Sequence, residues 1–148
     1  MPDPRPMPAG RRATPAGRRA APARHGRVLS VSVPPAEAAA IAREVLGTLG
    51  WRVRAQTPAT LELERGRRGA TILLGGLAGQ ALHLTAALGV AERPHGTDLR
   101  LVWDDREGRA LGGSLGRRRA HRILEESLRA LEEDLRERSL LLGVRELG

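Results

Sequence analysis

Residues 70–91 read ATILLGGLAGQALHLTAALGVA, twenty-two positions without a charge, set between ERGRRG and ERPHG. A stretch so long and so apolar has two physical outcomes: a helix that crosses a bilayer, or strands inside a sheet. Its length suits the roughly 20 residues that a bilayer core demands, the preceding arginines suit an inner flank, and Gly75 with Gly79 makes a small-xxx-small pair. Four features favour strands. Gln80 and His83 fall mid-stretch, where polar groups in lipid are costly. Apolar Leu82, Leu84, Ala86, Leu88 and Val90 alternate with His83, Thr85, Ala87 and Gly89. GGLAGQ has the glycine content of a loop between two strands. The flanking segments also read as one sheet, which a span would split. The expectation is a hairpin with strands at 70–75 and 81–91; a membrane-anchored domain spanning through 70–91 is the competing reading.

The flanks carry the argument further. In VLSVSV, Leu29, Val31 and Val33 share a face opposite Ser30 and Ser32, a half-buried strand over 28–33. Pro34-Pro35 ends it, and proline suits a first helical turn because its φ is fixed and no donor is wasted. Residues 36–49 place Ala38, Ile41, Ala42, Val45 and Leu49 at helical spacing, with Glu37 near the start and Gly50 as a left-handed stop. Trp51, Val53 and Ala55 alternate with Arg52 and Arg54, then Leu61 and Leu63 with Glu62 and Glu64. These read as adjacent antiparallel strands with arginines facing glutamates. Leu99, Leu101 and Trp103 alternate with Asp98 and Arg100 in a strand over 97–103. From about Ser114 to Leu141, a long amphipathic helix carries Leu124, Leu128, Leu131, Leu135 and Leu142 on one stripe. Its outer face holds Arg122 with Glu126, Glu125 with Arg129, Arg129 with Glu133 and Glu132 with Arg136, each four apart.

The fold class that follows is α+β: an antiparallel curved sheet in the order β-α-β-β-β-β-(β)-α, with the long C-terminal helix packed on one face. Residues 28–142 form one domain, between a disordered Arg/Pro/Ala-rich tail at 1–27 and a short C-terminal tail at 143–148. The run SVSVPPAEAAAIAREVLGTLGWRV (strand, PPAEA helix, LGW strand), with a helix closing the chain, resembles the TATA-binding-protein-like and helix-grip folds. The latter group includes START and polyketide-cyclase-type domains. The resemblance is one of topology over 28–142. It implies a sheet gripping the C-terminal helix, with an apolar pocket between them. This chain has one short helix after the first strand where helix-grip domains have two, and fewer strands.

The net charge of +8 is unevenly placed. Residues 1–27 hold seven Arg against one Asp, whereas 28–148 hold eighteen Arg against sixteen acids. The tail contains an imperfect repeat, AGRRATP at 9–15 and AGRRAAP at 16–22. Such a mixture buries too little surface to offset the entropy of ordering. It reads as a solvated extension, an electrostatic tether for nucleic acid or anionic lipid, or the product of an early start, with Met7 and Val28 as later beginnings. No apolar signal core precedes the domain, so a soluble cytoplasmic protein is expected. Lys, Asn, Phe, Tyr and Cys are absent. This usage fits a GC-rich bacterial genome, in which Arg in place of Lys reports codon supply as much as chemistry. Without Cys there are no disulfides or thiolate ligands.

No catalytic motif emerges, and no cofactor or metal is expected. The leading expectation is a small non-catalytic binding module with one of two surfaces. An apolar ligand between sheet and C-terminal helix would contact Leu29, Val31, Trp51, Leu101, Trp103, Leu124, Leu128 and Leu131. Alternatively, a protein partner would pair with an exposed sheet edge. The second expectation is an anion or nucleic-acid site: GRALGGSLGRRRAH leads into a helix carrying Arg117, Arg118, Arg119, His121 and Arg122. Cations near a helix start are mildly unfavourable, so several together point to an anion, or else to pairing with Glu125, Glu126 or the acids of 104–107. No Lys follows the glycines, which excludes a P-loop. Asp104, Asp105 and Glu107 read as a solvated turn. The histidines at 25, 83, 95 and 121 lack ligand spacing, and His83 is the sole candidate base for a cyclase-type enzyme.

Overall fold

Two prolines set the first change of direction. Pro34 is extended (φ −62°, ψ 160°) and caps a helix that Pro35 begins, with Ala38 N–H donating to Pro34 C=O at 2.9 Å. In the computed structural model, which describes residues 24–66, 83–104 and 113–147, this turn joins β1 (Arg24–Val31) to α1 (Pro35–Thr48). The remaining elements are β2 (Trp51–Thr57), β3 (Thr60–Arg65), β4 (Leu84–Arg93), β5 (Gly96–Asp104), α2 (Gly113–Glu137) and β6 (Leu141–Leu147). Gly50 stops α1 at φ 87°, a conformation that costs a side-chain-free residue little.

The six strands form one open sheet in the order β2-β3-β4-β5-β1-β6, and every neighbouring pair is antiparallel. The α+β class and the antiparallel sheet are therefore as expected, with two helices among the described residues. Register aligns Leu61, Leu88 and Leu101 across β3, β4 and β5, and Val90, Leu99 and Leu29 across β4, β5 and β1. These residues share one core with Ala38, Ile41, Ala42, Val45 and Leu46 of α1 and with Leu124, Leu128, Leu131 and Leu135 of α2. Both helices thus cover the same face: α1 lies against β2, β4 and β5, α2 against β1 and β6, and the two touch each other. The opposite face carries small and charged residues, such as Glu62, Ala87, Gly89 and Arg100. Between β4 and β5 the turn needs its glycine. A Cβ on Gly96 would sit 1.9 Å from Val31 C=O, so β1 approaches the hairpin too closely for any side chain.

Several expectations need correction. The first strand starts at Arg24, not Val28, and pairs with β5 from Arg24↔Asp104 onward, so 24–27 belong to the sheet instead of the tail. Residues 1–23 lie outside the described residues. The helix closes at Glu137, and 143–147, expected as a tail, belong to β6 at the sheet edge beside β1. Leu142 consequently leaves the helical stripe and sits exposed on β6. The physical reason is a Schellman-type closure. Leu140 N–H donates to Leu135 C=O and Ser139 N–H to Arg136 C=O, both at 2.9 Å, with Ser139 left-handed at φ 58°. Of the uncharged stretch, 84–91 lie in β4, paired with both β3 and β5, so 70–91 is not one membrane-crossing helix. The strand expected at 70–75 lies outside the described residues. No helix among the described residues is long and apolar enough to cross a membrane.

Candidate functional site

The eight residues expected around a ligand pocket are gathered together, but as packing. Leu29, Val31, Trp51, Leu101, Trp103, Leu124, Leu128 and Leu131 all sit in the core, with Trp103 the most exposed of them at 6 %. The Trp51 indole N–H donates to Ser127 Oγ at 2.9 Å, and that hydroxyl donates to Ile123 C=O at 2.7 Å. This buried relay ties β2 to α2. Trp103 meets His121 edge-on, with ring centroids 6.0 Å apart. A cleft of about 460 Å³ opens beside this core, between the end of α1 and α2, and Thr48, Gly50, Arg65, Glu126 and Ser127 line it. None of the eight contributes to its lining. Its buried hydroxyl is already committed to the relay, and its two charges are of opposite sign.

Arg117, Arg118, Arg119, His121 and Arg122 are exposed on the early turns of α2. Glu125, expected to pair on its own helix, turns instead to Arg27 of β1 at 3.2 Å. Arg27 also reaches Glu132 at 3.9 Å, and its Nε donates to Glu146 of β6 at 2.5 Å. Burial opposes the charge on Arg27, yet the Glu146 hydrogen bond and the surrounding carboxylates outweigh it and raise its pKa. Of the i,i+4 pairs expected on the helix exterior, Glu132 with Arg136 forms, at 2.5 Å. Among the described residues, Arg117, Arg118, Arg119 and Arg122 take part in no ion pair. Of the other expected partners, Glu126 forms no ion pair among the described residues, and Asp105, Glu107 and the side chain of Asp104 lie outside what is described.

Across the sheet, Arg52 faces Glu64 in register, their charged groups 3.5 Å apart. Arg54 falls at a register shift between Val53 and Ala55, which breaks the second expected pairing. The His83 ring, 16 % exposed, brings Nε2 to 3.7 Å from the same Glu64 carboxylate. Glu64 belongs to the face away from the helices, so His83 is outside the interface where a cyclase-type base was expected. His95 is exposed in the β4–β5 turn. No cluster of potential metal ligands occurs among the described residues.

The two sheet edges differ. At the β2 edge, Arg52, Arg54, Gln56 and Thr57 are exposed. At the β6 edge, Leu142 is 60 % and Val144 43 % exposed, with Gly143 between them. This apolar edge was hidden in the sequence because Leu142 continues the leucine spacing of α2, and neither Gly nor Pro marks the helix end. Comparisons with protein-family models, curated proteins and solved structures find no match to the chain.

Proposed function

We propose that the chain is a non-catalytic protein-binding module that receives an extended partner segment as an additional strand beside β6. The exposed apolar edge carries this reading. An edge strand presents a row of unpaired backbone donors and acceptors, and proteins ordinarily blunt such edges with charge or cover. At β2 arginines do this, whereas at β6, ahead of the exposed Arg145 and Glu146, two large apolar side chains stand in solvent. Strand addition would use the backbone for affinity and Leu142 and Val144 for selection. An apolar ligand site is less well supported, because the residues nominated for it fill the core with one another. The likeness to helix-grip domains then concerns architecture, with helices covering one sheet face. Peptides selected from a random library against the full chain test the proposal. Binders are expected to slow amide exchange across 141–147, and Leu142→Glu with Val144→Glu to weaken them at least about tenfold, or 1.4 kcal/mol. Binding that ignores both substitutions removes the reading.

A second reading rests on the cluster Arg117, Arg118, Arg119 and Arg122 at the start of α2, which no described acid neutralises. They suit a phosphate-rich anion such as a nucleic-acid backbone. Affinity for an oligonucleotide should then fall with salt, by roughly 0.9 in log K per log salt for each phosphate contact with duplex DNA. Replacing Arg117, Arg118, Arg119 and Arg122 by Gln should flatten that slope in a chain lacking 1–23. An unchanged slope rejects the site.

A further inference from the structure

We infer that the segment received by β6 is the β6 of a second copy of this chain, joined antiparallel about a two-fold axis through Val144. The inference rests on the strand-addition reading above. A two-fold contact uses the same patch twice, so the patch must be compatible with itself. With the axis at Val144, all seven residues of β6 overlap. Val144 meets the second copy's Val144, Leu141 meets its Leu147, Leu142 meets its Glu146, and Gly143 meets its Arg145. No like charges lie directly opposite. Moving the axis to 145 or 146 would set Arg145 on Arg145 or Glu146 on Glu146, which is destabilising. Moving it to 143 would leave Glu146 and Leu147 beyond the end of the other strand.

Three further observations agree. A Cβ placed on Gly143 meets nothing within 4 Å, so packing within the chain does not require glycine there. Opposite Arg145 of the second copy, the missing side chain leaves room for the arginine stem. The one acid on the strand also has a counter-charge in its own chain, since Glu146 is held by Arg27. Bringing two β6 strands together therefore adds no unpaired carboxylate to the seam. Finally, β2 at the far edge is polar, so assembly closes at two copies instead of growing into a filament. A seven-residue strand is about 24 Å long, and its pairing buries less than the roughly 1,600 Å² of a standard interface. The dimer should accordingly be weak and concentration-dependent, with Kd on the order of 10 μM.

Sedimentation equilibrium of the full chain, from about one-tenth to ten times that Kd, tests this. A reversible monomer–dimer transition is expected, and Leu142→Glu with Val144→Glu should abolish it while the far-UV spectrum and melting curve stay native. Because the chain has no cysteine, Val144→Cys supplies a single thiol. Directly opposed residues of an antiparallel pair have Cα atoms about 4.5–5.5 Å apart, within disulfide range. Mild oxidation should therefore cross-link Val144→Cys at least about tenfold faster than Arg52→Cys on the other edge. A monomer at every concentration, a dimer indifferent to the double substitution, or equal cross-linking at both edges overturns the inference. A monomer whose β6 amides are still protected by selected peptides loses the second copy and keeps strand addition. A monomer that gains no such protection loses both.

Discussion

Ser139 occupies a left-handed conformation at φ 58°, where a Cβ crowds the backbone and glycine is the usual occupant. Ser139→Gly is expected to stabilise the fold by about 0.5–1 kcal/mol, the relief of strain exceeding the added freedom of the unfolded chain. Urea titration checks this, and an unchanged midpoint would mean that the serine carries no strain. This residue also shows why the end of α2 is hidden in the sequence: a serine gives no stop signal, and the closure depends on Leu140 finding the core. Asp98 is a second single-residue case. Ser30 Oγ donates to it at 2.7 Å and Arg93 at 2.9 Å, and with the Ser30 hydrogen bond leading, its pKa is lowered against the opposing effect of burial. A folded-state pKa below the unfolded one means that the carboxylate's stabilisation is fully present above about pH 4. It is lost as pH falls through the lower folded value. Ser30→Ala should raise the Asp98 pKa in an NMR titration and shrink the acid-side loss of stability. A pKa unmoved by the substitution would show that Ser30 is not its main determinant.

Among the elements, α2 is the one most directly written in the residues. Leu124, Leu128, Leu131 and Leu135 recur at the helical period, and all four are buried. Its partners were harder to read. Glu125 has Arg129 four residues along, yet it turns to Arg27, because a half-buried guanidinium shared by carboxylates of α2 and β6 outcompetes an exposed helical pair worth a few tenths of a kcal/mol. The relay from Trp51 through Ser127 to Ile123 is equally non-local, with 76 residues separating the indole from the hydroxyl. Ser127→Ala would leave the Trp51 N–H buried without its acceptor, and should cost about 1–3 kcal/mol. Thermal melting followed by tryptophan emission measures it. A loss below about 0.5 kcal/mol would mean that the hydroxyl contributes packing alone.

For the molecule as a whole, the consequential boundary is the start of β1. A chain beginning at Val28 lacks 24–27, which pair with β5, and lacks Arg27, which links β1 to α2 and β6. Relative to a chain beginning just before Arg24, it should lose at least about 2 kcal/mol in denaturant unfolding and exchange its β6 amides faster. Equal stability would show that the clamp is dispensable. Pro34-Pro35, the alanine-rich face of α1, the alternation in β3, β4 and β5, and the leucine stripe of α2 were all legible, because each follows from the backbone's own period and needs no knowledge of neighbours. The eight core residues were legible for the same reason, since alternation and helical spacing identify what is buried. They do not say whether buried residues enclose a ligand or one another. That RHGR at 24–27 and LLGVREL at 141–147 are strands is a different kind of fact: neither carries a sustained alternation, and each takes its conformation from hydrogen bonds to a neighbouring strand far away in sequence. Elements whose side-chain period matches their backbone geometry are thus specified locally by their own residues. Where the sheet ends, and therefore which edge is open to a partner, is settled by long-range pairing, because an edge is defined by the pairing that a strand lacks.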